Sequence, residues 1–171
     1  MILSDNNIKL IRLTENDLEL VRKWRNDPKI SQFMFFQGHI TEEMQIEWFK
    51  KINNNNNYYF IIEIDREKIG LTEIKNINYE NMNAEAGIFI YNDDYLNGIL
   101  SYKIIFLLMN FAFDKLKIKQ FNVLIRDDNK RAIRFNNSIG YLKNEKLGQN
   151  YYSLNQENYK QSKVKIEKIL K

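Results

Sequence analysis

The segment from Ala84 to Lys115 carries the residues best suited to holding an anion. A run of strand-forming residues, AEAGIFIY, meets a polar turn, Asn92-Asp93-Asp94-Tyr95-Leu96-Asn97-Gly98, and then a long apolar stretch with the length of a helix. Glycine at such a joint lets backbone approach a ligand closely. The leading N–H groups of the helix have no partners inside it, and with the helix dipole they make a place for phosphate or pyrophosphate. A plain strand-to-helix turn would read the same way, so this piece alone leaves both meanings open. A second segment runs from Asn129 through Lys130-Arg131-Ala132-Ile133-Arg134-Phe135-Asn136-Asn137-Ser138 to Ile139-Gly140-Tyr141. It reads as a short amphipathic helix with an Asn N-cap and a Gly C-cap. Capping accounts for Asn129 and Gly140 but not for the order strand, cap, helix, glycine, aromatic. Cysteine is absent, which excludes disulfides, thiolate metal sites and a cysteine nucleophile. No metal is expected.

The elements that must position these pieces follow from periodicity. Ile8 to Leu13 alternates as a half-buried strand. Thr14, with Asp17 three residues on, resembles a capping box and opens a helix carrying Leu18, Val21 and Trp24, which Pro28 ends. Lys29 to Ile40 reads as a loop rich in apolar side chains, Phe33, Met34, Phe35 and Phe36. Thr41 caps a second helix with Met44, Trp48 and Phe49 on its apolar face. Tyr58 to Ile64 and Lys68 to Ile74, joined by Asp65-Arg66-Glu67, form a hairpin pattern. Ala84 to Tyr91 is a strand, Gly98 to Lys115 a helix, Lys119 to Ile125 a strand and Asn129 to Ser138 a helix. Strands then begin at Gly140-Tyr141 and at Tyr151 to Leu154, and a basic helical tail starts at about residue 155. This order implies an α+β (α/β three-layer) fold with a central, mostly antiparallel sheet. The 171 residues are expected to form one domain.

With 44% hydrophobic and 28% charged residues the chain can build a core and keep a wet surface. No run reaches the about 18 apolar residues of a membrane span, and the N-terminus lacks a basic start and apolar stretch, so a cytoplasmic location is expected. The net charge of +4 favours anionic ligands but is too small to argue for nucleic acid. Neither a nucleic-acid nor a membrane partner is expected; a homodimer is compatible with the sequence.

The order of elements, the strand–turn–Gly98–helix unit and the 129–141 segment together resemble the GNAT superfamily of N-acetyltransferases, over roughly residues 8 to 155. Trp24-Arg25-Asn26, Phe33-Met34-Phe35 and Ile40-Thr41-Glu42-Glu43 look like the N-acetyltransferases that act on a nucleotide-linked aminosugar in surface-glycan (pseudaminic-acid) synthesis. They also share features with ribosomal-protein N-terminal acetyltransferases. The resemblance implies a GNAT-like mixed sheet of about seven strands, splayed at the cosubstrate site and flanked by about four helices. It implies an acyltransferase that uses acetyl-CoA to acetylate the primary amine of a nucleotide-linked aminosugar. A ribosomal-protein N-terminal acetyltransferase and a GNAT-fold module without activity are the alternatives.

By the same resemblance, the pyrophosphate of acetyl-CoA meets the window Tyr95 to Ser101, with Leu96, Asn97, Gly98, Ile99, Leu100 and Ser101 as contacts. Gly98 keeps the family pattern; Tyr95 and Leu100 depart from it. Ile88, Phe89 and Ile90 match the strand that pairs with the pantetheine arm and polarises the thioester carbonyl. Asn129, Arg131, Phe135 and Asn136 flank the cosubstrate. Many relatives carry a proton-donating Tyr where Asn136 stands, so Ser138, Tyr141 and Tyr152 are candidate substitutes. Glu85 sits at the family's strand position for a general base, and His39 is a second candidate. Arg25 could pair with a diphosphate. Phe33, Phe35, Phe36 and Trp48 could stack on a base or sugar, or fill the core, and Met34 is expected among the substrate contacts.

Overall fold

The computed structural model describes residues 1–96 and 98–169. The strands are β1 (Ile2–Asp5), β2 (Ile8–Arg12), β3 (Tyr58–Ile64), β4 (Glu67–Asn78), β5 (Asn83–Ile90), β6 (Gln120–Leu124), β7 (Leu142–Lys143) and β8 (Tyr151–Asn155). The helices are α1 (Leu18–Asn26), α2 (Pro28–Ser31), α3 (Glu42–Ile52), α4 (Gly98–Asn110), α5 (Lys130–Ser138) and α6 (Gln156–Ile169). Among the described residues eight strands form one sheet in the order β1-β2-β3-β4-β5-β6-β8-β7. Every seam is antiparallel except β5–β6, which is parallel because α4 carries the chain across between them.

Alternation along the strands creates two cores. Phe60, Ile62 and Ile64 of β3 join Ile104, Leu108 and Met109 of α4 and Tyr159 of α6 on one face. Tyr59 and Ile61 of the same strand turn the other way, to Val21 and Trp24 of α1 and Phe49 of α3. The β3–β4 hairpin turns at Asp65 and Arg66, both with positive φ (50° and 72°), the sense that matches strand twist in a two-residue turn. Arg66 takes that conformation without glycine's freedom, and Asp65 is held by Asn7 Nδ2, which donates to its carboxylate at 3.0 Å.

Three features differ from the sequence expectation. β1 is an extra strand, bringing the sheet to eight rather than about seven; it is an exposed edge of four residues and leaves no hydrophobic alternation to read. Pro28 ends α1, as expected, but then opens α2, so the first turn of the expected loop is helical. Asp27 caps that turn by accepting from the Lys29 N–H at 3.0 Å, and proline is tolerated at the first position, where no N–H bond is needed. The strand expected from Gly140 starts only at Leu142 and is two residues long. Among the described residues no helix is long and apolar enough to cross a membrane.

Candidate active site

β5 and β6 pair only at Asn83–Gln120 and Ala84–Phe121. Beyond that point they part, whereas β4 follows β5 from Gly70–Ile90 to Lys75–Glu85. The result is a cleft of about 600 Å³ between the diverging strands, α4 and α5. The Tyr91 N–H donates to Ile69 O at 2.7 Å on β4. Neighbouring residues of a strand alternate the side their backbone groups face, so Phe89 and Gly87 serve β4 while Ile88 and Ile90 direct N–H and C=O into the gap. Thr72 Oγ1 donating to Gly87 O at 2.8 Å agrees with that alternation. One wall of the cleft is therefore an unpaired strand edge, able to bond an extended polar chain as another strand would.

The start of α4 forms one end of the cleft. Leu96, Gly98 and Ser101 line it, and nothing lies within 4 Å of where a Cβ on Gly98 would stand. Ile88, Phe89, Ile90, Asn129, Arg131, Phe135 and Asn136 also line it. Asn129 caps α5, its Oδ1 accepting from the Ala132 N–H at 3.0 Å. Phe135 stacks on Tyr102 with centroids 5.3 Å apart. The Asn136 amide donates to Ala132 O at 2.9 Å within its own helix. Ile99 is exposed and off the cleft, and Leu100 is half-buried against the core. Asn97 lies outside the described residues. An unpaired strand edge, a helix N-terminus and the cations of Arg131 and Arg134 fit an elongated anionic thioester. Among the described residues no group of carboxylates and histidines could hold a metal.

The two strand carboxylates differ sharply. Glu85 does not line the cleft: its side chain is 41% exposed, and its oxygens take a hydrogen bond from Asn76 at 2.8 Å and face Lys75 at 3.7 Å. Glu73, which the sequence reading passed over, does line it and is only 15% exposed. It sits opposite Gly87 in the β4–β5 register, and a Cβ on Gly87 would stand 2.4 Å from Glu73 Oε1. The carboxylate thus lies in the space that glycine leaves open. Burial pushes its carboxyl above the ordinary range; Lys75 (3.8 Å) and Arg25 oppose that shift and Glu85 adds to it. The available signal was a charged residue on the inward alternation of an apolar strand, Gly70-Leu71-Thr72-Glu73-Ile74.

From the loop after α2, Met34 and Phe35 line the cleft together with Phe33. Phe36 is exposed outside it, as is His39, the other sequence candidate for a base. The loop is tied to both lips of the wedge: Lys29 pairs with Asp93 at 3.5 Å, and Arg126 Nη1 donates to Met34 O at 3.2 Å. Arg25 and Trp48 do not line the cleft but stand beside Glu73. The Arg25 guanidinium is 5.8 Å from the Trp48 ring. That ring meets Tyr59 edge-on at 5.1 Å, and Tyr59 pairs with Glu73 across β3–β4.

Comparisons with known proteins show the family and the fold. Residues 7–141 match the Acetyltransferase (GNAT) domain family. The chain is 30% identical over 132 residues to Acetyltransferase PseH of Campylobacter jejuni, covering 74% of this chain and 80% of that protein. It is 25% identical over 139 residues to Spermidine N(1)-acetyltransferase of Escherichia coli K12, covering 81% and 74%. Among solved structures it superposes on the Vibrio cholerae spermidine N-acetyltransferase in complex with CoA and spermine with a TM-score of 0.77, at 19% identity over 91% of this chain and 99% of that one. A domain from Methanocaldococcus jannaschii gives 0.74 at 24% identity, over 86% and 97%. At these identities the structural likenesses speak for the fold.

Proposed function

The chain belongs to the GNAT family of acetyltransferases, and from that premise we propose that its acetyl acceptor is the primary amine of a nucleotide-linked aminosugar. The coarse reaction comes with the family: the protein is an N-acetyltransferase with acetyl-CoA as cosubstrate. The observation that carries the finer reading is the chain of contacts Arg25–Trp48–Tyr59, which lies outside the cleft lining and reaches Glu73 across the β3–β4 seam. A guanidinium held over an indole suits a diphosphate next to a flat base. A polyamine would instead need free carboxylates. Here Glu73 and Glu85 both face Lys75, and Asp27 already accepts from the Tyr91 hydroxyl at 3.0 Å and from the Lys29 N–H. The 30% identity to PseH supports the same side.

Transfer requires a neutral amine, because an alkyl ammonium has no free electron pair. Glu73 takes the ammonium proton; its raised carboxyl pKa brings it nearer the amine's and makes it a better base than a solvated carboxylate. The freed amine attacks the thioester carbonyl. The Ile88 N–H, aimed into the wedge, holds the carbonyl oxygen as it gains negative charge. One such donor is worth about 3 kcal/mol in enzymes where it has been removed. Glu73 is our choice of base over Glu85 and His39 because, of the three, it alone lines the cleft.

A thiol-release assay with UDP- and dTDP-linked 4-amino sugars, run beside spermidine, tests the acceptor. Turnover of at least one sugar at a kcat/KM well above that of spermidine is expected. Efficient spermidine turnover with none on any sugar would replace this reading with polyamine acetylation, which the 25% identity to the spermidine enzyme favours.

A further inference from the structure

Collapse of the acetyl adduct expels a thiolate, and the structure narrows the choice of group that meets it. The Asn136 amide is spent on Ala132 O, and an amide cannot serve as an acid near neutrality. Ser138 Oγ donates to Phe135 O at 2.6 Å, is shared with the Tyr102 hydroxyl at 2.8 Å, and does not line the cleft. Tyr152 is buried on β8, away from the cleft lining. Tyr141 differs from all three. It is 1% exposed and lines the cleft, and its hydroxyl is buried with no hydrogen-bond partner among the described residues. Among the described residues the other buried side-chain atoms without a partner, Arg12 Nη1 and the Gln45 amide, lie outside the cleft. A buried hydroxyl without a partner is destabilising, so such groups are rare where they have nothing to do.

The backbone explains how Tyr141 reaches this place. Gly140 ends α5 with φ +105°, and a Cβ there would stand 2.7 Å from Asn158 O of α6. The Tyr141 N–H then closes on Asn136 O at 3.0 Å. The chain therefore turns sharply between α5 and α6 and sends the phenol to the base of the wedge. Burial, aided by the Glu85 carboxylate, pushes that phenol up and keeps it protonated.

We propose that the Tyr141 hydroxyl is the proton donor to the departing coenzyme A sulfur, an inference that rests on the acetyl-transfer reading above. The C–S bond breaks and its electron pair stays on sulfur. The Tyr141 O–H bond breaks and an S–H bond forms, leaving a phenolate. The proton Glu73 took from the ammonium is released to solvent, and the phenolate regains one from solvent once the thiol leaves. The nitrogen's second proton, shed as the adduct becomes the amide, also passes to solvent; two protons leave and one enters, for a net release of one, and the enzyme is restored.

The test is Tyr141→Phe, which keeps the ring and removes the orphaned hydroxyl. It is assayed with whichever amine the parent enzyme turns over fastest among aminosugar nucleotides, spermidine and N-terminal peptides. The expected result is an equal or higher melting temperature, a kcat about 10²-fold lower, and KM values for both substrates within twofold of the parent. Difluorotyrosine at position 141, with its more acidic phenol, should move the alkaline limb of kcat to lower pH. An unchanged kcat in Tyr141→Phe overturns the Tyr141 role alone. Should that variant melt early, the fluorinated protein decides, and an unmoved alkaline limb overturns the proposal. No turnover by the parent with any of the amines removes the transferase reading and Tyr141's role with it.

Discussion

β5 has two edges with opposite fates. Along β4 it is zipped from Ile90 to Glu85; along β6 it is released after Ala84. The closed seam holds the strand rigid so that the open one can present its backbone to a ligand. Two glycines on the closed seam repeat the contrast at the scale of single residues. A Cβ on Gly70 would stand 2.2 Å from Phe89 O and 3.0 Å from Ile90 Cα, which are backbone atoms that cannot yield. A Cβ on Gly87 would meet only the end of the Glu73 side chain. Gly70 is therefore a requirement of backbone packing and Gly87 a requirement of the room the Glu73 carboxylate occupies, although both belong to the same pair of strands.

Substitutions can break or sharpen that contrast. The largest effect is expected from Glu73→Gln, which removes the proposed base and leaves the seam intact: kcat should fall about 10²-fold or more near neutral pH, and the acid limb of the pH–rate profile should vanish. The parent's limb should lie above the ordinary carboxylate range, since burial raises this carboxyl. The sign for stability follows. A carboxyl raised in the folded state binds more protons there than in the unfolded chain, so folding weakens as pH rises from the unfolded value to the folded one. Glu73→Gln should thus be more stable than the parent above that window and gain nothing below it, as measured by urea melts at several pH values. Rates that keep their acid limb in Glu73→Gln would return the role of base to Glu85 or His39.

Gly70→Ala should cost about 1–3 kcal/mol, the usual range for overpacking, and leave kcat per folded molecule within twofold. Gly87→Ala should reverse the pattern, with a stability change under about 1 kcal/mol because a flexible carboxylate can move aside, but a kcat about tenfold lower because misplacement of a reacting group is costly. Equal losses of stability in the two variants would erase the distinction between the seams. The smallest effect is expected from Arg25→Gln: loss of about 1 kcal/mol of charge-assisted binding should raise the KM for a nucleotide sugar about fivefold without changing its kcat. A KM rise of the same size for spermidine would speak against a diphosphate partner.

The elements expected around the cosubstrate are legible along the chain because each is contiguous. The Asn129 cap and the Gly98 helix start rest on hydrogen bonding within a few residues, and the strand Ile88 to Ile90 on a contiguous run of strand-forming side chains. The residues expected on the acceptor side are scattered along the chain. Glu85 was chosen from its strand position, yet its side chain is bound to Asn76 and Lys75 away from the cleft. Glu73 lies on a different strand and acquires meaning only from the residue across the seam.

Alternation, caps and turn residues by themselves determined most of the strands and helices, their order, and the glycine-led helix start, β1 and α2 excepted, because each depends on neighbours within a few residues. Only the tertiary structure decided that β4 lies against β5 in the register that sets Glu73 over Gly87, and that the turn after α5 buries the Tyr141 hydroxyl at the base of the wedge. Both depend on pairings between segments far apart in sequence, and a shift of one residue in such a seam would turn each side chain to the opposite face.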